Sequence, residues 1–389
     1  MRPSRAVILV AVATAFSLLG DQTLYAVLPS YYTSLGLLPY QVGLILSMNR
    51  WIRLFTNHLA EQLCRRYSLT LLLCLALLLG AALTVVYAEI SRFSVLLTAR
   101  VLWGLCWSFI RQVGLMTVAD SAPDRVIGRM MGYYNGISRT GSMAGNFVGA
   151  LGHDLIGFAG TLLIFGGVSL IAVPLGFLSR WRLPHKNRTL PAVSLPGWRN
   201  PGLLVCGFAV GCVGAGLLMS TLGLLLKQTV GDAIQVWGMT VGVATLTGLL
   251  LTGRWVTDAL GAPLLGALSD RIGRQKSALL FFGTGALVLL AGARVPGTPA
   301  LVIAVLLFFI CGVGATVVMV AEASRRGPRA VASYVTAADM GSAAGPVIGW
   351  MTQQASMTTD MIFTIGGGLY ALAAFMAWRT FAANAEKNR

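Results

Sequence analysis

The sequence predicts an all-α membrane protein, with twelve transmembrane helices in two pseudo-symmetric six-helix bundles and both termini in the cytoplasm. Three observations predict it. Of 389 residues, 56% are hydrophobic and only 11% charged, with a mean hydropathy of +0.76, whereas a soluble domain carries about 25% charged residues. A chain this long and this apolar cannot hide its surface inside a water-soluble globule. Apolar runs long enough to span a bilayer, about 20 residues each, recur from end to end. Finally, the lysines and arginines are concentrated in every second loop.

Taken in order, the candidate spans are 6–30, 39–60, 69–88, 93–118, 129–151, 157–179, 202–225, 235–258, 277–293, 299–321, 330–352 and 361–379. The first runs apolar to Leu28 with no A-x-A cleavage site, so it is expected to be a retained helix and not a cleaved signal peptide. The second, fifth and eighth are the least apolar, because polar or charged residues interrupt them. Between the sixth and seventh lies RWRLPHKNRTLPAVSLPGWRNP, a basic, proline-rich stretch that reads as a surface linker. The expected organisation is an N-terminal bundle over 1–180, a cytoplasmic linker over 181–200 and a C-terminal bundle over 201–389.

The formal charge is +16. Twenty of the 29 basic residues fall in one set of loops, among them Arg65, Arg66, Arg125, Arg180, Arg271, Arg274, Arg325 and Arg326; the alternate loops hold only Arg92, Lys227 and Arg294. This is the positive-inside pattern of a multi-pass protein, expected in a bacterial inner membrane. The charge excess therefore orients the chain in lipid, and nucleic acid is not an expected partner. The six cysteines form no CxxC pair, the three histidines (His58, His153, His185) show no metal-ligand spacing, and no GxxxxGK[ST] phosphate loop occurs. Neither an enzyme nor a resident cofactor or metal is expected.

Motifs repeat between the halves. The loop after the eighth span reads Gly266-Ala-Leu-Ser-Asp270-Arg271-Ile-Gly273-Arg274-Gln-Lys276; its first-half counterpart keeps Glu61, Arg65 and Arg66. An acid ends the helix, glycine permits the turn, and basic residues meet the cytoplasm and the headgroups. The fifth span carries Gly132, Gly141, Gly145-Asn146 and Gly149-Ala150, and the eleventh carries Ala332, Gly341, Gly345-Pro346 and Gly349-Trp350 at the same spacing. Glycines four apart share one helix face and let two helices approach closely. The fourth span holds Arg100-x-x-Trp103-Gly104, and Pro123-Asp124-Arg125-x-x-Gly128-Arg129 joins the fourth span to the fifth.

Together these motifs resemble the major facilitator superfamily over the whole chain. The loop is similar to its G-x-x-x-D-R-x-G-R-[RK] signature, and the glycine series to its antiporter motif, in which Asn146 stands for proline and Ala150 for the last glycine. The fourth-span motif is similar to R-x-x-Q-G-x-G, with Trp103 and Cys106 departing from it. The resemblance implies alternating access without ATP, a substrate site between the halves near mid-membrane, and export. It also implies a proton-coupling role for Arg100 and gating roles for the motif residues.

Charges inside spans are costly and mark function. Nine occur: Asp21, Arg50, Arg53, Arg100, Arg111, Arg139, Arg254, Asp258 and Asp339. Arg50, Arg53, Asn57 and Glu61 share a helix face, as do Arg100, Gly104, Trp107 and Arg111. Arg254 and Asp258 are spaced to pair. Asp21 and Asp339 lie near mid-depth and are the expected proton carriers. Six arginines face three acids, which suits an anionic ligand; the alternative is that Arg50 or Arg53 pairs with Asp21. Arg50, Arg53 and Arg139 are thus the expected substrate contacts, completed by Tyr25, Tyr134 and Asn135. The expected function is proton-coupled export of a small anionic or zwitterionic compound, such as a drug, metabolite or siderophore, by a chain acting as a monomer. The alternatives are uptake of an anionic nutrient, or metal-ion export.

Overall fold

The computed structural model describes residues 3–181, 183, 200–236, 238–295, 297–356 and 360–387. Almost all of the expected linker, 182 and 184–199, lies outside the described residues.

Each expected span falls largely on helix, the eighth only from Val243 onward. The first half supplies α1 (Arg5–Tyr31), α2 (Pro39–Arg66), α3 (Leu69–Glu89), α4 (Phe93–Ser121), α5 (Ile127–Ser169) and α6 (Ala172–Arg180). The Ser4 and Ser68 hydroxyls cap α1 and α3 by accepting from the backbone N–H groups of Val7 and Leu71, the usual use of serine at a helix start. The stretch Ile127–Arg180 is 54 residues long, about 80 Å at 1.5 Å per residue and enough for two passes. The break falls at Gly157, whose φ of 81° only glycine adopts freely.

The second half is less regular. α7 (Pro201–Val210) passes into a π-helical segment, Gly211–Leu218, and resumes as α8 (Met219–Val230). The eighth span differs from expectation at its start. Residues assigned to it form a hairpin, β1 (Ala233–Val236) with β2 (Met239–Gly242), and the helix α9 begins only at Val243. It then runs through a second π turn, Thr257–Gly261, into α10 (Ala262–Ile272). The chain ends with α11 (Arg274–Gly292), α12 (Thr298–Arg325), α13 (Pro328–Gln354) and α14 (Asp360–Lys387).

Among the described residues, eight helical stretches are long and apolar enough to cross a membrane by length and composition. The second, eighth and eleventh spans are not among them, and Ile127–Arg180 counts once although it holds both the fifth span and the sixth. The eleventh, not among the spans flagged from sequence, owes its polarity to Ser333, Thr336, Asp339 and Ser342.

The helices pack as two compact units. The first comprises Met1–Leu37, Met48–Arg188 and Asp232–Thr252; the second comprises Leu38–Ser47, Thr189–Gly231 and Gly253–Arg389. The two glycine series do equivalent work, one in each. A Cβ on Gly141 would fall 2.0 Å from the Ala15 carbonyl oxygen, and one on Gly345 would fall 2.3 Å from that of Cys212. Glycine is thus what brings α5 onto α1 and α13 onto the α7 segment. Large apolar side chains such as Leu264 and Leu287 are left exposed.

Candidate functional site

Within the first unit, α1, α2 and α4 meet around one buried carboxylate. Gly104 lets them meet: a Cβ there would lie 2.7 Å from the Asn49 carbonyl oxygen, so α4 seats directly on α2. Trp103, where the family motif has glutamine, packs on Gly80 of α3.

Asp21, 5% exposed, is the centre. Its Oδ1 accepts from Arg100 Nη1 at 2.5 Å and from Asn49 Nδ2 at 3.3 Å; its Oδ2 accepts from Gln22 Nε2 at 2.9 Å. Arg100 is fully buried, and its Nη2 donates to the Tyr25 hydroxyl at 3.3 Å. That hydroxyl donates in turn to Asn49 Oδ1 at 3.3 Å. The bonds close a ring, Asp21–Arg100–Tyr25–Asn49–Asp21. A carboxylate and a guanidinium can share a low-dielectric site only when paired and surrounded by further hydrogen bonds, as here. The Tyr25 ring links this pair to a second cation, with the guanidinium carbon of Arg50 at 5.2 Å from the ring centroid and that of Arg100 at 5.5 Å. Arg50 is only half-buried. The arrangement thus joins a sealed acid–base pair to a more accessible arginine through one aromatic ring.

The structure brings Asp21, Tyr25, Arg50 and Arg100 together. It makes Arg100 the ion-pair partner of Asp21, rather than the Arg50 or Arg53 considered as an alternative. Arg53 lies half-buried one turn beyond Asn49 and Arg50 on α2, and Arg139 half-buried on α5. Tyr134 is elsewhere: it is 3% exposed, its hydroxyl is 3.4 Å from Thr14 Oγ1, two turns before Asp21, and it packs against Gly114. Asn135 is exposed. In the second unit, Asp339 is half-buried on α13 and its backbone carbonyl accepts from the Ser342 hydroxyl. Arg254 ends α9, with its guanidinium carbon 4.9 Å from the Trp255 ring centroid and Nη1 3.5 Å from Met219 Sδ, while Asp258 falls in the π turn that follows.

The motif residues take distinct positions. Glu61 and Arg65 form a salt bridge of 2.6 Å at the end of α2, beside an exposed Arg66. Gly266 packs against Val317, Asp270 and Arg271 are exposed, and Gly273 turns the chain with φ 89° before Arg274 begins α11. Pro346 is buried within α13 next to Gly345. Asn146 is fully buried with neither amide atom hydrogen-bonded.

Sequence reading missed Gln22 and Asn49, which hold Asp21. Both are neutral, and only their place beside Asp21 and Arg50 could have flagged them. It also counted Arg180 as a loop cation. Arg180 is buried and pairs with Asp120 at 2.8 Å, with Thr117 at 3.3 Å. Among the described residues no group of three or more histidine, cysteine or acidic side chains could hold a metal ion.

A family model described as Major Facilitator Superfamily matches residues 10–258. A bacterial homolog of the human lysosomal transporter Spinster, solved in an inward-facing and occupied conformation, superposes with a TM-score of 0.80 at 13% identity, over 98% of this chain and 98% of that one. The nucleoside transporter NupG gives 0.74 at 14% identity, over 97% and 99%. At such identities the likeness is one of fold. No curated protein matches the sequence.

Proposed function

The chain belongs to the major facilitator superfamily, and from that premise we propose that it exports a small zwitterionic or anionic organic compound in exchange for protons. The observation that carries this reading is the ring around Asp21. Asp21 is the proton site and Arg100 its partner. Arg50, reached through Tyr25, takes the substrate's carboxylate or phosphate, and Arg53 and Arg139 extend the positive surface. Asp339 is the second proton carrier. In the deprotonated state Asp21 holds Arg100. A proton on Asp21 removes half of the ion pair and leaves the guanidinium to seek another anion.

The sign of coupling then depends on which substrate charge meets Asp21. A zwitterion's ammonium competes with the proton for the carboxylate, so loading one expels the other: antiport. A purely anionic substrate binds better once Asp21 is neutral, which couples proton and substrate in the same direction. That second reading, uptake of an anionic nutrient, rests on the same ring and on the surplus of arginines. The two solved transporters, one described as a nucleoside transporter, fit either direction.

Everted vesicles separate them. With the interior acidified, antiport accumulates substrate and a Asp21→Asn chain does not. Accumulation only when the outside is acidified selects the uptake reading. Transport indifferent to the pH gradient in both orientations removes the proton from the mechanism.

A further inference from the structure

At the outer end of α9 the Val243 N–H donates to the Asp232 carbonyl at 2.9 Å, but the preceding residue offers no side chain to cap the next N–H groups. Gly242 precedes its first residue, and a helix start leaves backbone N–H groups without intrahelical partners. The missing acceptor comes from α5, 91 residues earlier in the chain. Asp154 Oδ2 accepts from the Thr245 backbone N–H at 2.9 Å and from the Thr245 hydroxyl at 2.5 Å. A Cβ on Gly242 would lie 2.2 to 2.6 Å from the Asp154 carboxylate, so this carboxylate fills the place of the cap residue's own side chain. It also puts negative charge at the positive end of the helix. Asp154 is held in position because α5 breaks just beyond it at Gly157, and because its neighbour His153 packs edge-on against Tyr31 with centroids 4.7 Å apart.

Below the cap, α9 follows α5 closely. A Cβ on Gly248 would fall 2.2 Å from the Asn146 carbonyl oxygen and 2.7 Å from Ala150 Cβ; Thr252 Oγ1 donates to the Met143 carbonyl at 3.2 Å. The first unit ends at Thr252, and the π turn begins five residues later. One span is thus held to α5 along its outer part and belongs to the other unit below it.

We propose that Asp154 is a detachable helix cap, a latch holding the outer part of span eight on span five that opens and re-forms in each transport cycle. Its exposure suits this, because water replaces the carboxylate when the helix leaves. Because Gly242 offers no side-chain acceptor, departure of α9 from α5 leaves the Thr245 N–H without Asp154 and loosens the first turn. The proposal rests on the transport reading, but its first test needs no substrate.

Ala150→Cys, buried under the latch, serves as reporter in right-side-out vesicles treated with a membrane-impermeant maleimide, against the parent chain as background. Labelling should be slow with Asp154 and Thr245 in place. It should rise about tenfold in Asp154→Ala, the effect of losing one cap, and less in Asp154→Asn, which keeps an acceptor without the charge. Thr245→Ser keeps both donors and should label as slowly as the parent. Equal labelling with and without Asp154 overturns the latch. In the second test, Asp154→Cys with Thr245→Cys should cross-link on oxidation, stop transport and recover it on reduction. Full transport by the fully cross-linked protein overturns the cycle of opening.

Discussion

Arg100 has no exposed surface, yet it holds Asp21, the acid proposed as the proton site. Replacing it with alanine leaves the Asp21 carboxylate buried with only the amides of Gln22 and Asn49. Breaking one side of a buried pair costs about 3–5 kcal/mol, so Arg100→Ala should unfold well below the parent in a detergent melting experiment. Asp21→Asn with Arg100→Gln removes both charges and should recover most of that stability without recovering gradient-driven transport. A double variant as unstable as the two single losses combined would show that the residues are not a pair. Asp21 and Arg100 were individually legible, since a charge in an apolar run stands out. Their partnership was not, because it depends on how α1 crosses α4, 79 residues apart. Gln22 and Asn49 carry no charge to mark them. Arg180 shows the converse: its position after an apolar run reads as a loop cation, and only packing reveals Asp120 opposite it.

At the scale of the helix, the glycine series was the most legible feature, because spacing alone fixes a shared face. Its members are not equal. A side chain at Gly141 meets the Ala15 backbone, which cannot rotate away, whereas Gly132 has nothing within 4 Å. Gly141→Val should therefore cost at least the top of the roughly 1–3 kcal/mol range for over-packing and yield little monodisperse protein on size-exclusion chromatography. Gly132→Ala should express and migrate like the parent. Helix irregularities were not legible. Gly211–Leu218 reads GCVGAGLL, as apolar as any span, and nothing in composition separates a π turn from an α turn. The hairpin was misread for a related reason: AIQV and MTVG are apolar enough to extend a helix, and it is Gly238, with φ 78°, that turns them back.

For the whole molecule, charge alternation carried the expected topology and the repeated motifs the expected two halves. Neither could show that each compact unit includes a piece of the other half, Leu38–Ser47 in one direction and Asp232–Thr252 in the other. The second of these has a consequence for biogenesis. While the chain is being made, the glycine-lined surface of α5 near Asn146 and Ala150 enters the membrane roughly 100 residues before Gly248, the residue that covers it. At synthesis rates of about 5–20 residues per second, the nascent first half waits for seconds with that face open to lipid, insertase or chaperone. A chain stopped at Gly231 should stay in that waiting state. Limited proteolysis from the outer side should cut it near the end of α5, and co-expression of residues 232–389 should restore protection.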